Sequence, residues 1–540
     1  MAISVKVIFL IFFASPIFCS EADFDPIVQL PNGKIRGRNH GHYLSFESIP
    51  YAEPPINENR LEAPKPFSGS WSDIRDATIA PVKCMQWDQF LFTDDLLDGQ
   101  EDCLTVNIYT PSIGGNKTYP VLVLIHGGAF MFGTAAQSGH DYIMKNQNLV
   151  VVKMNYRLGP LGFLSTEDDV ISGNFGLKDQ LLAMEWTKAN VALFNGNPES
   201  ITAFGFSAGA ASVHLHMLNK NFEKIAKGAV SLSGTSFNDW TIMRNPARRA
   251  IALAKHLDCP TDSSSEIKTC LKEKNAADIV RAVRKLQNIG YNPCLVFGPV
   301  IESKTVSNAF LSESPEAIVK SGKSAQIPWL ASYSKNDGGY NAAELMQKDS
   351  NGVELIEVLN ERWNELAPVN LFFENTVPEN ELDSYASNLR QKYMGNKNFS
   401  AENYLLVQKI YTDLLFANGV KKAWKLQKEY TESPVYAYVF DSPAPFGIGQ
   451  IVSQRFDLKF GTVHGDDFYL MFNSPIPVSL SKTQNELSQK FIKMIEEFCT
   501  NTTLQFGDCK FMENNANTNG FYVMQIKSDS CESSNFENML

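Results

Sequence analysis

The chain has 540 residues, 44% hydrophobic and 20% charged, a composition that excludes an intrinsically disordered protein. Its formal charge of −11 supplies no cationic footprint for nucleic acid or an anionic membrane surface, and is the charge of a soluble protein. At this length both two ordinary domains and one large α/β domain with insertions are open.

Residues 1–18 (MAISVKVIFLIFFASPIF) form an apolar run containing Lys6, followed by Cys19-Ser-Glu-Ala22 at a small-residue boundary. This pattern predicts a secretory signal over residues 1–20, cleaved to leave residues 21–540. The run is short for a bilayer span and meets polar residues at once. The C-terminal CESSNFENML lacks the apolar stretch of a lipid-anchor signal, so no membrane anchor is expected. Of nine cysteines, eight remain after the signal, and export favours disulfides. Cys84 with Cys103, Cys259 with Cys270, and Cys509 with Cys531 are the locally spaced pairs, but spacing leaves the connectivity open; Cys294 and Cys499 have no obvious partner. Three acceptor sequons, at Asn116, Asn398 and Asn501, are glycosylation sites in an exported chain. With no CxxC or HExxH pattern, neither a metal centre nor a cofactor is expected.

Taken in order, residues 121–125 (VLVLI) and 149–154 (LVVVKM) have the continuous branched apolar character of buried strands. Residues 178–193 switch to helical spacing, 201–206 (ITAFGF) return to a strand, and 208–218 (AGAASVHLHML) are helical. Further strands fit 229–232, 327–332 and 435–440 (VYAYVF). This alternation predicts a large, mostly parallel sheet covered by helices on both faces. No Pro/Gly/Ser linker divides the chain, which favours one domain with insertions.

Gly205-Phe-Ser207-Ala-Gly209 lies where a predicted strand meets a predicted helix, the context that makes a GxSxG match a nucleophile elbow. The sharp turn strains the serine, and Gly205, Ala208, Gly209, Ala210 and Ala211 let the helix and strands approach it. The new helix directs its unpaired amides and positive end at the place where an oxyanion would form. His126-Gly127-Gly128-Ala-Phe130 directly follows VLVLI, so the Gly127 and Gly128 amides and that of Ala208 are candidates for an oxyanion hole. α/β-Hydrolase triads run Ser, acid, His along the chain. Of the four histidines after Ser207, His214 and His216 belong to the elbow helix and His256 precedes the better acids, which leaves His464 in a Gly-bounded loop as the base. Asp337, after a strand and before Gly338-Gly339, is the best-placed acid; Glu302 and Glu344 compete with it.

Together these residues resemble the type-B carboxylesterase and cholinesterase family, and within it the insect secreted β-esterases. The likeness runs over essentially the whole mature chain: Ile49-Pro-Tyr-Ala-Glu-Pro-Pro55, Glu101-Asp-Cys-Leu-Thr-Val-Asn107, the HGGAF and GFSAG motifs, Asn155-Tyr-Arg-Leu-Gly-Pro-Leu-Gly-Phe163, Asn174-Phe-Gly-Leu-Lys-Asp-Gln180, Asp337-Gly-Gly-Tyr340 and Gly461-Thr-Val-His-Gly-Asp-Asp467. The resemblance implies an α/β-hydrolase fold, a Ser207, Asp337, His464 triad, oxyanion donors at Gly127, Gly128 and Ala208, and disulfides on the three local cysteine pairs. Most of the family has Glu where this chain has Asp337, and the insect β-esterases are similar in using Asp. Ser233 matches a serine that supports the acid and the histidine.

Two departures bear on substrate. Cholinesterases carry Glu where this chain has Phe206, and juvenile hormone esterases usually carry Gln there. The choline-cradling tryptophan is missing from the stretch that begins Phe90-Leu-Phe-Thr, so a choline ester loses its cation–π handle. The expectation is a small-molecule, uncharged, lipophilic ester, as in clearance of a pheromone, hormone or xenobiotic. The rival is a catalytically inactive esterase-like adhesion protein, which would lack the nucleophile or base; a third reading, interfacial lipase action, predicts turnover that rises above substrate solubility.

Overall fold

The computed structural model describes residues 25–89, 95–349, 351–444, 447–474, 479–500 and 504–536. The signal expected over residues 1–20, the sequon at Asn501 and the stretch from Phe90 to Asp94 lie outside the described residues.

Eleven strands build one sheet: β1 (Arg38–Asn39), β2 (Leu44–Pro50), β3 (Thr105–Thr110), β4 (Tyr119–Ile125), β5 (Val150–Met154), β6 (Gly196–Phe206), β7 (Gly228–Leu232), β8 (Trp329–Ser334), β9 (Val435–Asp441), β10 (Tyr522–Lys527) and β11 (Cys531–Asn535). Their spatial order is β11-β10-β9-β8-β7-β6-β4-β5-β3-β2-β1. From β5 across to β10 every pairing is parallel, and both margins are antiparallel. The chain thus has the α/β-hydrolase architecture, with helices on both faces of a mostly parallel sheet.

Strand alternation sorts the apolar residues into two layers. Val121, Val123 and Ile125 of β4 join one apolar cluster with Ile201 and Ala203, while Leu122 and Leu124 join the other with Phe204 and Val230. Each such side chain leaving water contributes about 1.5–3 kcal/mol, so a one-residue slip of β4 would exchange both layers at once. The first layer is covered by α1 (Phe175–Asn190), and the second by α3 (Lys482–Thr500), whose Phe491, Ile492 and Ile495 are fully buried. The elbow helix α2 (Ala208–Met217) is buried along all ten residues. It can lie so close only because Gly209 has no side chain: a Cβ there would stand 2.0 Å from the Ile125 carbonyl oxygen.

The predicted central strands are all present with shifted ends. β8 starts at Trp329 rather than 327, because Pro328 has no amide to donate and only its carbonyl joins β7, accepting from Ala229. The helix expected over 178–193 instead begins at Phe175 and tightens into a 3₁₀ turn at Val191–Phe194. All three local cysteine pairs are disulfides, and Cys294 and Cys499 are free thiols. The Cys509–Cys531 bridge fastens β11 to the short strand at Cys509–Lys510. No described helix is long and apolar enough to cross a membrane.

Candidate active site

The chemistry-bearing residues emerge where α/β sheets collect their sites, at the C-terminal ends of neighbouring parallel strands β4, β6, β8 and β9. Ser207 follows β6 without a spacer and holds φ 60°, ψ −122°, a region that a side chain occupies only when the surroundings enforce it. They do so here: the Ser207 amide donates to the Leu232 carbonyl at 2.8 Å, and its carbonyl accepts from Ala211 at 3.0 Å. The Ala208 amide is the first of α2 and has no acceptor inside the helix.

The loop after β4 packs on this turn, and a Cβ on Gly127 would stand 2.9 Å from the Cβ of Ser207. Gly128 takes φ +107°, and a side chain there would collide with the Phe132 carbonyl at 2.0 Å. The Gly127 and Gly128 amides reach no backbone acceptor among the described residues. His126, which opens the motif, turns away from Ser207: its Nδ1 lies 2.8 Å from the Gly127 carbonyl and its ring stacks on Tyr156. Burial pulls its pKa down to about 4, so it is a neutral structural ring.

Asp337 and His464 are brought together from loops far apart in the chain. Asp337 is fully buried; its Oδ1 is 2.6 Å from His464 Nδ1, while its Oδ2 accepts from the Ser233 hydroxyl at 2.7 Å and the Ser334 amide at 2.9 Å. The two loops are tied to each other, Asn336 donating its amide to Thr462 at 2.9 Å and accepting from the Thr462 amide through its side chain at 3.2 Å. Gly338 donates to Thr412 Oγ1 at 3.0 Å, and a Cβ on it would stand 2.2 Å from the Thr412 amide nitrogen. The imidazole of His464 is boxed by Phe206 and Phe416, each 4.6 Å away between centroids, and by Tyr340 at 5.8 Å. Beneath it, burial first and the charge of Asp337 second raise the Asp467 carboxyl to about 6, where it accepts from Tyr438 at 2.7 Å.

The competing acids are engaged elsewhere. Glu302 pairs with Lys178 at 2.6 Å and accepts from Asn174 and the Phe310 and Leu311 amides. Glu344 accepts from the Tyr291 amide and Asn292, and burial raises it to about 7. The other histidines are accounted for as well. His214 accepts from Ser236 and stacks on Trp329, His216 bonds Gln180 at 3.0 Å, and His256 is exposed on its helix.

Ser207 and His464 line one cavity whose walls are chiefly Phe132, Phe206, Trp240, Phe372, Leu415 and Phe416. Among the described residues the cavity presents no side chain with a permanent charge, and part of its wall comes from a turn of π-helix, Thr412–Ala417. Such a turn leaves carbonyls out of the regular ladder. Here Asn238 takes those of Leu415 and Phe416 at 2.8 and 2.9 Å, and the Trp240 indole donates to Leu415 at 2.6 Å. The sequence reading did not single out Trp240, Leu415 or Phe416, and nothing in helical periodicity marks a π-turn.

A model of the Carboxylesterase family matches residues 24–539. The chain is 46% identical to Esterase P of Drosophila melanogaster over 523 residues, 96% of each protein. It is 48% identical to Esterase-5A of Drosophila miranda over 515 residues, covering 94% of this chain and 93% of that one. The crystal structure of juvenile hormone esterase from Manduca sexta, with OTFP covalently attached, superposes with a TM-score of 0.80 over 95% of this chain and 97% of that chain at 23% identity, a likeness of fold. The chain belongs to the carboxylesterase family and is a carboxylic-ester hydrolase.

Proposed function

We propose that residues 21–540 form one catalytic domain that hydrolyses uncharged, lipophilic esters through Ser207, His464 and Asp337. The observation that carries this reading is the strained Ser207 sharing an apolar cavity with an imidazole whose far nitrogen is held by a buried carboxylate. His464 takes the proton of Ser207 as its Oγ attacks the ester carbonyl. The amides of Gly127, Gly128 and Ala208 hold the resulting oxyanion. The carbonyl reforms, the alcohol leaves with the proton from His464, and water cleaves the acyl-enzyme by the same route. Asp337 fixes the imidazole tautomer and stabilises its charged form.

Ser207→Ala tests the assignment. Wild type should release alcohol in a burst and take one organophosphate label on Ser207, and the variant should fold and lose both; a label on another serine overturns it. The apolar walls and Phe206 support a neutral leaving group, so acetylcholine should give a lower kcat/KM than a neutral acetate of similar size. We also place the chain on the export route, a reading supported by the three disulfides and by exposed sequons at Asn116 and Asn398. Mass spectrometry of the secreted protein should find an N-terminus between about residues 20 and 23, and an intact Met1 refutes it.

A further inference from the structure

The cavity at Ser207 does not end in hydrocarbon. Cys294, Tyr340 and Asn341 line it on one side and on the other line a second chamber. The chemistry changes across this partition. Beyond it the wall includes Gln89, Glu344, Gln347 and Gln454, where the first cavity is aromatic and aliphatic.

Asn341 stands in the partition and is 7% exposed, yet among the described residues its Oδ1 has no hydrogen-bond partner, while its Nδ2 has only the Cys294 sulfur at 3.7 Å. Leaving such an amide unpaired costs about 1–3 kcal/mol, and turning it over merely exchanges which polar atom is orphaned. Asn341 lines both chambers, one helical turn from Glu344 and four residues from the carboxylate that holds His464.

We propose that Asn341 is a specificity-determining residue, and that the preferred substrates are esters with a neutral hydroxyl toward the end of one arm. This rests on the reading of Ser207 as nucleophile and refines its substrate class. The ester lies in the apolar cavity, and the hydroxyl passes the partition to meet Asn341. A hydroxyl both donates and accepts, so it satisfies the amide in either orientation. A site built to pair with a hydroxyl discriminates strongly against the analogue that lacks it, because the buried amide is then left bare. The glutamines beyond are neutral, and Glu344 is already held by the Tyr291 amide and Asn292, so the chamber is furnished for a neutral polar group.

The test uses matched pairs over a span of chain lengths: 4-nitrophenyl alkanoates against their ω-hydroxy counterparts, and alkyl acetates against ω-hydroxyalkyl acetates. In one of the two series, at its best length, wild type should favour the hydroxylated member about tenfold in kcat/KM, the worth of one buried hydrogen bond. Asn341→Leu removes the amide at similar volume and should invert that preference. Should it fail to fold, Asn341→Ala carries the same comparison, and the wild-type ratio decides without any variant. Hydrocarbon members favoured in both series, or a hydroxyl preference surviving both substitutions, overturns the proposal. So does a still better ω-ammonium ester, which would make the chamber a cation site of Glu344. Hydrolysis of plain esters with the label on Ser207 but no hydroxyl preference defeats this inference alone, whereas no hydrolysis or a label elsewhere takes the reading of the site down with it.

Discussion

Two buried carboxylates in this molecule look alike as pairs and differ in everything around them. Asp337 faces His464 at 2.6 Å and Glu302 faces Lys178 at 2.6 Å, with exposures of 0% and 3%. Glu302 spends its remaining hydrogen-bonding capacity on Asn174 and two loop amides, and its partner is a lysine that also bonds Ser172 at 3.3 Å. Asp337 is equally well held, but its partner is an imidazole whose ring borders the substrate cavity. A short buried contact therefore says little about catalysis; a partner that borders the cavity distinguishes the two.

The comparison predicts opposite failures. Asp337→Asn keeps the shape and loses the charge that stabilises the imidazolium, so kcat should fall by up to about 10⁴ while the unfolding transition moves little. Activity close to wild type in this variant would erase the distinction. Glu302→Gln instead strands Lys178 in the interior. It should lose about 3–5 kcal/mol in denaturant unfolding yet keep kcat within a few-fold per labelled site. A large loss of kcat at unchanged stability would reverse the two roles.

Glu344 sharpens the comparison through pH. Burial holds its carboxyl at about 7, above the ordinary 4.5, so the folded chain binds this proton more tightly than the unfolded one. Its contribution to stability is complete below about pH 4.5 and is lost as the pH rises through about 7. Glu344→Gln has no such proton, so the Tm of wild type relative to this variant should fall across that window; a pH-independent difference contradicts it. The smallest effect is expected at Ser233. Ser233→Ala leaves Asp337 Oδ2 with the Ser334 amide alone and should lower kcat about tenfold with KM little changed. A change confined to KM would mean that Ser233 touches the substrate path rather than the acid.

The readable parts of the site were those whose chemistry is local. An elbow needs small residues at fixed offsets from the serine, and an oxyanion loop needs glycines directly after a strand, so Gly205, Ser207, Gly209, Gly127 and Gly128 announce themselves by spacing. The buried central strands were legible for a similar reason, since a strand covered on both faces must be apolar throughout. The margins were not. β2, β3 and β11 mix polar and apolar residues and become strands by pairing antiparallel at the edges of the parallel sheet.

By itself the sequence determined the fold class, and it pointed to Ser207 as a nucleophile candidate and, by chain order and elimination, to His464 as a base candidate, because each of these readings rests on covalent neighbours or on a required order along the chain. Local chemistry could not separate Asp337 from Glu302 and Glu344, since all three are carboxylates in the permitted interval and only the resemblance favoured one. The tertiary structure tells them apart, bringing Asp337 to the His464 imidazole and sealing the other two among different donors. It alone also made the pocket, where a π-turn puts Leu415 and Phe416 in one wall with Ser207 and where Asn341, its Oδ1 unpaired among the described residues, lies between two chambers. Such juxtapositions join residues that are distant in sequence, and no local spacing encodes them.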